Sequence, residues 1–343
     1  MAYRWSWSWG SESIVVLADM GFAFSSSYFA PTSAQQYKPV GAPTKYSMAT
    51  DYDEQLHLPN AVVAGMDQGV VSVAFKSASV NYSPWYSIIT VESSGGTGNY
   101  IRVTSAGALN LYVDGSYAST SAVAYDFMSW RFVSLHFDFR VNPWVFKITV
   151  DGVASTGPDT ASLAADTVGT VYTGSPNTTD EHWFNGQIIV QDEYADVASP
   201  RYVTRISPDA DTSETGTWTP TTAGSNFAST GVDPFDAATY TEEGTPSAGD
   251  DVITSYASDL TTLLGGVPAS VELVTVHSYS TGAANTARAE VGDAGGATTT
   301  VGTTTLIGSD TTYAYASAPV APGDSAAWDG ADIPKCKYEV VSV

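Results

Sequence analysis

Hydrophobic and polar residues alternate with a period of two along much of the chain. In the first segment, YRWSWSW, alternation places Trp5, Trp7 and Trp9 on one face of a predicted strand and the intervening serines on the other. Similar segments recur roughly every ten residues, separated by clusters of Gly, Ser, Asp, Asn and Pro. This pattern predicts an all-β protein built from sandwiches.

The predicted strands of the first 200 residues form one continuous run. They fall in the segments 70–80, 86–93, 99–120, 130–152 and 182–195. Two of these segments, 99–120 and 130–152, have the pattern of β-hairpins. In both, a strand ends in Val-Asp-Gly, so Asp114-Gly115 and Asp151-Gly152 are predicted to form tight turns with positive φ.

The strand pattern lapses over residues 196–224, which are rich in Ser, Thr, Pro, Asp and Gly. Such a composition is typical of a linker, so we place a domain boundary here. Short strand-like segments resume after it, with one helical turn predicted at 259–268. The sequence therefore predicts two β-sandwich, jelly-roll-like domains in tandem, 1–200 and 201–343.

Charge narrows the range of partners. The chain has 36 Asp and Glu against 13 Lys and Arg, a net charge of −23, and both predicted domains share the excess. Such a surface repels phosphate, so nucleic acid and anionic membranes are not expected partners. No apolar run approaches the ~20 residues of a membrane span. With no leader-like start and with Cys336 as the single cysteine, we expect synthesis in a cytoplasm and no intrachain disulfide.

Two ordered sets of motifs resemble known families. VVSVAFK, YIRVTSAGALNLYVDG, WRFVSLHFDF…WVFKITVDG and FNGQIIVQDEY resemble the laminin-G/concanavalin A-like jelly roll. The segments from Trp218-Thr-Pro through ASVELVTVHSYS and ARAEV to Pro322–Trp328 resemble a β module of tailed-phage structural proteins, although the usual last strand is replaced by CKYEVVSV. The second resemblance implies a non-enzymatic component of a virion.

Jelly rolls also carry glycosidases, which need two carboxylates about 5–5.5 Å apart for a retaining mechanism. The Glu-x-Asp-x-x-Glu spacing of such enzymes is absent, and neither 51–54 nor 192–196 reproduces it. Gly-x-Ser-x-Gly and phosphate-binding loops are absent as well. We therefore predict that the protein is not an enzyme.

No cofactor is predicted. The histidines lie far apart in the sequence, and His136 and His277 fall inside strands, which favours a packed or hydrogen-bonded role over metal ligation. Calcium is the alternative, because loop carboxylates abound. The weak calcium candidates are Asp233, Asp236, Asp250 and Asp251, each of which is equally explained as a turn cap.

Two functions follow as alternatives. The first is a structural protein on the outside of a phage particle, as a head decoration, head fibre or tail-associated component, that contacts other virion proteins and forms a symmetric homo-oligomer such as a trimer. The second is a lectin-like carbohydrate-binding module; both allow contact with a host glycan. Trp5, Trp7 and Trp9 are the predicted partner or glycan contact, with burial in the core as the competing interpretation.

Overall fold

The computed structural model describes residues 3–8, 17–18, 21–25, 30–32, 47–50, 55–77, 87–103, 107–174, 183–194, 210–220, 241–243, 245, 247–255, 271–278, 284–292, 298–307, 311–318, 326 and 335–342. The chain divides into two compact units, Met1–Val203 and Thr204–Val343. Within the described ranges, no helix has the length and apolarity needed to cross a membrane.

The first unit is a sandwich of two antiparallel sheets. Its strands are β1 Tyr3–Ser8, β2 Ala23–Phe24, β3 Ala30–Thr32, β4 Ser47–Thr50, β5 Gln55–His57, β6 Gln68–Ser77, β7 Ser87–Ser93, β8 Gly98–Val103, β9 Leu109–Val113, β10 Ser116–Thr120, β11 Arg131–Asp138, β12 Trp144–Val150, β13 Val153–Ala161, β14 Val168–Gly174 and β15 Trp183–Gln191. A four-residue helix, α1 Asn60–Val63, lies between β5 and β6. The predicted all-β sandwich class is confirmed.

The order of the strands shows how the chain alternates between the layers. The eight-stranded sheet runs β13-β12-β11-β6-β15-β4-β3, with β1 paired to β15. The seven-stranded sheet runs β10-β9-β8-β7-β14-β5-β2. Consecutive strands form a meander within each sheet, β7 to β10 in one and β11 to β13 in the other, whereas β5, β6 and β7 pass from sheet to sheet.

Alternation along the strands of the seven-stranded sheet separates an inner from an outer face. In β9, Leu109, Leu111 and Val113 are buried, whereas Asn110 and Tyr112 are partly exposed. Each fully buried aliphatic side chain stabilises the fold by roughly 1.5–3 kcal/mol relative to exposure. The inner face therefore holds the sheet in the sandwich, and the outer face carries side chains that the core does not require.

The two predicted Asp-Gly turns are confirmed. They join β9 to β10 and β12 to β13 as two-residue connections. Asp114 and Gly115 have φ of 50° and 68°, and Asp151 and Gly152 have φ of 50° and 80°. Positive φ at both central residues gives the backbone twist that two-residue hairpins favour, which explains the repeated Asp-Gly pair.

The described residues of the second unit form β-strands. They are β16 Ala210–Thr215, β17 Trp218–Pro220, β18 Thr241–Glu243, β19 Asp251–Ser255, β20 Val271–Ser278, β21 Ala284–Gly292, β22 Thr298–Ile307, β23 Thr311–Ala318 and β24 Lys335–Ser342. A five-stranded sheet has the order β16-β19-β24-β21-β22, and β17-β18 and β20-β23 form two-stranded sheets. All of the described pairs are antiparallel.

The segment 196–224, where the strand pattern lapses and we place the domain boundary, contains two strands, β16 and β17. In β16, ADTSET, the described side chains of Asp211, Ser213, Glu214 and Thr215 are exposed. The strand lies at a sheet edge and is paired to β19 through its backbone. A strand held by main-chain pairing, with no large apolar residue, leaves no hydrophobic alternation in the sequence to detect.

Candidate functional site

The tryptophans of the first strand belong to the core. Trp5 and Trp7 are 2% and 3% exposed. Their rings stack on each other with centroids 6.2 Å apart and planes 9° apart, and both contact Phe22, at 6.0 and 5.5 Å. Of the two interpretations, burial in the core is therefore the one that applies to Trp5 and Trp7. In the folded unit these rings offer no surface to a partner or a sugar. Trp9 lies outside the described residues.

Strand pairing explains this placement. Trp5 and Trp7 are paired with Val190 and Ile188 of β15, and a directly paired residue points to the same side of the sheet. Phe22 immediately precedes β2 of the other sheet, so the rings face the space between the two layers.

The predicted acidic candidates do not assemble into a site within the described residues. No three His, Cys, Asp or Glu side chains come together there as metal ligands. Asp250 accepts a hydrogen bond from the backbone N–H of Ser247 at 2.6 Å, the geometry of a turn cap, and Asp251 begins β19. Asp192 forms an ion pair with Arg4 at 2.8 Å. Asp233, Asp236, 51–54 and Asp196 lie outside the described residues.

His136 has the packed, hydrogen-bonded role that the sequence predicted. It is fully buried, and its Nε2 lies 3.1 Å from Thr149 Oγ1. The ring of Tyr194 meets it edge-on at 6.0 Å.

Ser72 and Ser134, on neighbouring strands, share a hydrogen bond of 2.7 Å and are each 1% exposed. The central strands β6 and β11 are therefore buried on both faces.

The seven-stranded sheet carries a feature that the sequence analysis did not identify. Six directly paired residues cross its strands β5, β14, β7, β8, β9 and β10 in one line. They are His57, Tyr172, Thr90, Tyr100, Tyr112 and Tyr117, which we call the aromatic row. The row lies on the outer face, because its members alternate with buried core residues such as Leu111 and Val171.

The rings of the aromatic row contact one another in two groups. His57 and Tyr172 have centroids 4.9 Å apart, and Tyr100 and Tyr112 stack at 4.8 Å with planes 20° apart. Tyr117 meets Tyr112 at 6.0 Å with its plane turned by 77°. Tyr117 is the most exposed member of the row, at 57%. Thr90, 1% exposed, lies between the two groups.

Polar groups border the aromatic row on both sides. The Tyr172 hydroxyl donates to Glu92 Oε1 at 3.1 Å, and His57 Nε2 lies 3.3 Å from Gln55 Oε1. At the other end, the hydroxyls of Tyr117 and Thr120 are 2.6 Å apart, and Thr120 donates to Asn110 Oδ1 at 2.7 Å. These bonds fix the orientation of the end rings. Together they surround the rings with hydroxyl, amide and carboxylate groups.

At the β5 end of the row, burial favours the uncharged forms of Tyr172 and His57. Burial raises the pKa of Tyr172 to about 12, and the nearby Glu92 carboxylate adds to this rise. Burial also lowers the pKa of His57 below its usual 6.5, against a smaller opposing effect of Glu92. The phenol therefore remains a donor and the imidazole is mostly neutral, so the fixed charge that these groups leave at this end is the Glu92 carboxylate.

Similarity to known proteins is confined to distant resemblance in structure. No model of a known protein family matches the sequence, and no curated protein matches it. Three solved structures can be compared. Trypanosoma rangeli sialidase in complex with sialic acid has a TM-score of 0.35 and 8% identity over 48% of this chain and 27% of the sialidase. The chain thus covers less than a third of that protein.

This chain covers a larger share of the other two structures. Domain 4 of AbnA, a GH43 extracellular arabinanase from Geobacillus stearothermophilus in complex with arabinotriose, has a TM-score of 0.36 and 12% identity over 55% of this chain and 92% of that domain. The exoplasmic/lumenal domain of VIP36, bound to Ca²⁺ and Man3GlcNAc, has a TM-score of 0.30 and 8% identity over 50% of this chain and 84% of that one. All three structures contain a sugar, but at these TM-scores they carry no argument about the function of this chain.

Proposed function

We propose that the first unit is a carbohydrate-binding domain and that its ligand lies on the aromatic row. The observation that supports this proposal is the line of paired residues on an outer sheet face, five of them ring-bearing, ending in Tyr117 at 57% exposure. A contiguous patch of large rings outside the core marks an interaction surface, because the fold gains little by leaving such rings in water.

The chemistry of the row suits a sugar. A pyranose presents C–H groups on its faces and hydroxyls around its edge, so it matches an exposed ring bordered by hydrogen-bonding groups. Tyr117 supplies the exposed ring, whereas Asn110 and Glu92 supply amide and carboxylate groups. Tyrosine is well suited to this role because it gives rigid, amphipathic contact area at a low cost in conformational entropy.

The scaffold supports the same conclusion. The row lies on strands of a sheet and not on loops, and hydrogen bonds hold its end residues in place. A site that is already ordered pays less on binding. A nucleic acid would match the rings equally well, but the chain carries a net charge of −23, which opposes polyphosphate binding.

The remaining expectations about function stay proposals. Non-enzymatic binding is the part of the prediction that agrees with a sugar-binding role. The virion location, and assembly with virion proteins or with copies of itself, rest on the sequence resemblance alone. Neither the described residues nor the comparisons test them.

Affinity electrophoresis of the full chain through gels that contain soluble polysaccharides tests the proposal. The panel comprises mixed-linkage glucan, arabinan and mannan. We expect retardation by at least one of them, lost or weakened roughly tenfold in Tyr117→Ala. The matched control is Val153→Ala, which truncates a 69%-exposed side chain on β13 of the other sheet. Unchanged retardation of Tyr117→Ala, or no retardation of the parent protein, would show that the row is only a set of cross-strand contacts.

A further inference from the structure

We infer that the ligand is an extended, neutral polysaccharide whose axis runs along the aromatic row, across the strands; this inference rests on the proposed function. The observation behind it is the direct pairing at every step from His57 to Tyr117. Direct pairing without offset keeps the members on one line perpendicular to the strands.

The length of the row selects an oligosaccharide over a single sugar. Five strand intervals of about 4.8 Å place its ends roughly 24 Å apart. An extended hexose chain advances by roughly 5 Å per sugar, close to the spacing of about 4.8 Å between strands. Successive sugars therefore meet successive strands of the sheet, and about five sugars span the line.

The two ends of the row contribute differently. At the β10 end, Tyr117 is 57% exposed, so a sugar there contacts its ring. At the β5 end, His57 and Tyr172 are half-buried and are held by hydrogen bonds to Gln55 and Glu92, so a sugar there meets less ring surface and more polar groups. Thr90, 1% exposed, adds little accessible surface between the two groups. Because the ends lie five strand intervals apart, only a long chain contacts both.

Charge selects neutral sugars. Glu92 places a carboxylate beside Tyr172 in the row, and the whole chain is strongly acidic. A uronic acid at this end would meet a like charge, which disfavours its binding most at low salt. Hydroxyl groups of a neutral sugar, by contrast, donate to the carboxylate.

Isothermal titration of the full chain with oligosaccharides of increasing length tests this inference. The probes are gluco-, arabino- and manno-oligosaccharides from the monosaccharide to the octasaccharide, with polygalacturonate and alginate oligomers as anionic probes. We expect affinity to rise with length and to level off near the pentasaccharide, and the anionic series to bind at least tenfold more weakly. His57→Ala should weaken the long probes and spare the disaccharide, whereas Tyr117→Ala should weaken both. His57→Gln, which keeps a polar side chain of similar size, repeats the test with less disturbance of the strand.

The outcomes separate the two proposals. Affinity that is flat beyond the disaccharide, with no effect of either His57 substitution at any length, would overturn the extended-ligand inference and leave a local sugar site at Tyr117. Equal or tighter binding of the anionic series would overturn the choice of neutral sugars. If no probe binds, the proposed function itself fails.

Discussion

Truncating Trp7 tests whether the first strand serves the fold or a partner. The ring is 3% exposed and packs against the rings of Trp5 and Phe22, with centroids 6.2 and 5.5 Å away. A tryptophan buries about 150–250 Å². At about 25 cal/mol per Å², its burial is worth roughly 4–6 kcal/mol, of which alanine retains only a small part. Measured Trp→Ala changes in cores cost about 3–5 kcal/mol, in agreement with this estimate.

We therefore expect Trp7→Ala to lower the free energy of unfolding of the first unit by about 3–5 kcal/mol. Urea denaturation of the full chain, followed by near-UV and far-UV circular dichroism, measures the change. If the variant is too unstable to purify, Trp7→Phe keeps most of the apolar contact and should cost less. Tyr117→Ala is the control, because its ring belongs to the outer face and its loss should cost about 1 kcal/mol or less.

The reasoning also predicts how the two tryptophans interact. Because the rings stack on each other, Trp5→Ala and Trp7→Ala should be non-additive, with a coupling of about 1 kcal/mol in a double-mutant cycle. A cost below about 1 kcal/mol for Trp7→Ala would refute the core assignment. It would restore the alternative in which these rings form a contact with a partner.

Two further predictions concern two glycines and the acid stability of the first unit. In urea titrations, Gly69→Ala should lower the free energy of unfolding more than Gly115→Ala, because a Cβ at Gly69 would lie 2.4 Å from the carbonyl oxygen of Gln191. A Cβ at Gly115 meets open space, so the cost there is only that of a φ of 68°, about 1 kcal/mol. Equal costs of the two substitutions would contradict this. Hydrogen bonds from Ser94 and from the backbone of Thr167 and Gly95 lower the pKa of Asp166 to about 2. The Asp166 carboxylate therefore contributes its full stabilisation above pH 3.8, the usual pKa of the group, and this contribution is lost as the pH falls towards 2. The difference in Tm between the parent protein and Asp166→Ala should therefore be constant near neutral pH and vanish near pH 2; a difference that persists there would show that the charge is not its source.

The sequence predicts the strands and turns that depend only on residues consecutive in the chain. The period of two identifies β1 and the hairpins of β8 with β9 and β11 with β12, and Asp-Gly identifies two turns. These features depend on side-chain alternation and on backbone φ, both of which are properties of consecutive residues. β16 escapes detection because its sequence, ADTSET, has no hydrophobic alternation.

The aromatic row could not be predicted in the same way. Its members lie at positions 57, 90, 100, 112, 117 and 172, with no common spacing. They become neighbours only through the pairing of β14 with both β5 and β7, which brings strands far apart in the chain together. In the structure, Tyr112 alternates with the buried Leu111 and Val113 of β9, but alternation within one strand does not indicate which strands lie beside it. Non-local strand order is therefore the missing information.

The two sheets of the first unit differ in how much their outer faces contribute to stability. In the eight-stranded sheet, the paired strands β6 and β11 are buried on both faces, as shown by Ser72, Ser134 and His136 at 1%, 1% and 0% exposure. Substitutions there remove packing or leave buried polar groups without partners, at several kcal/mol. In the seven-stranded sheet, outward residues such as Tyr112 and Tyr117 contribute only cross-strand contacts of about 0.2–1 kcal/mol. Substitutions in the row should therefore leave the fold intact, and for the same reason Trp7→Ala and Tyr117→Ala report separately on folding and on the proposed binding.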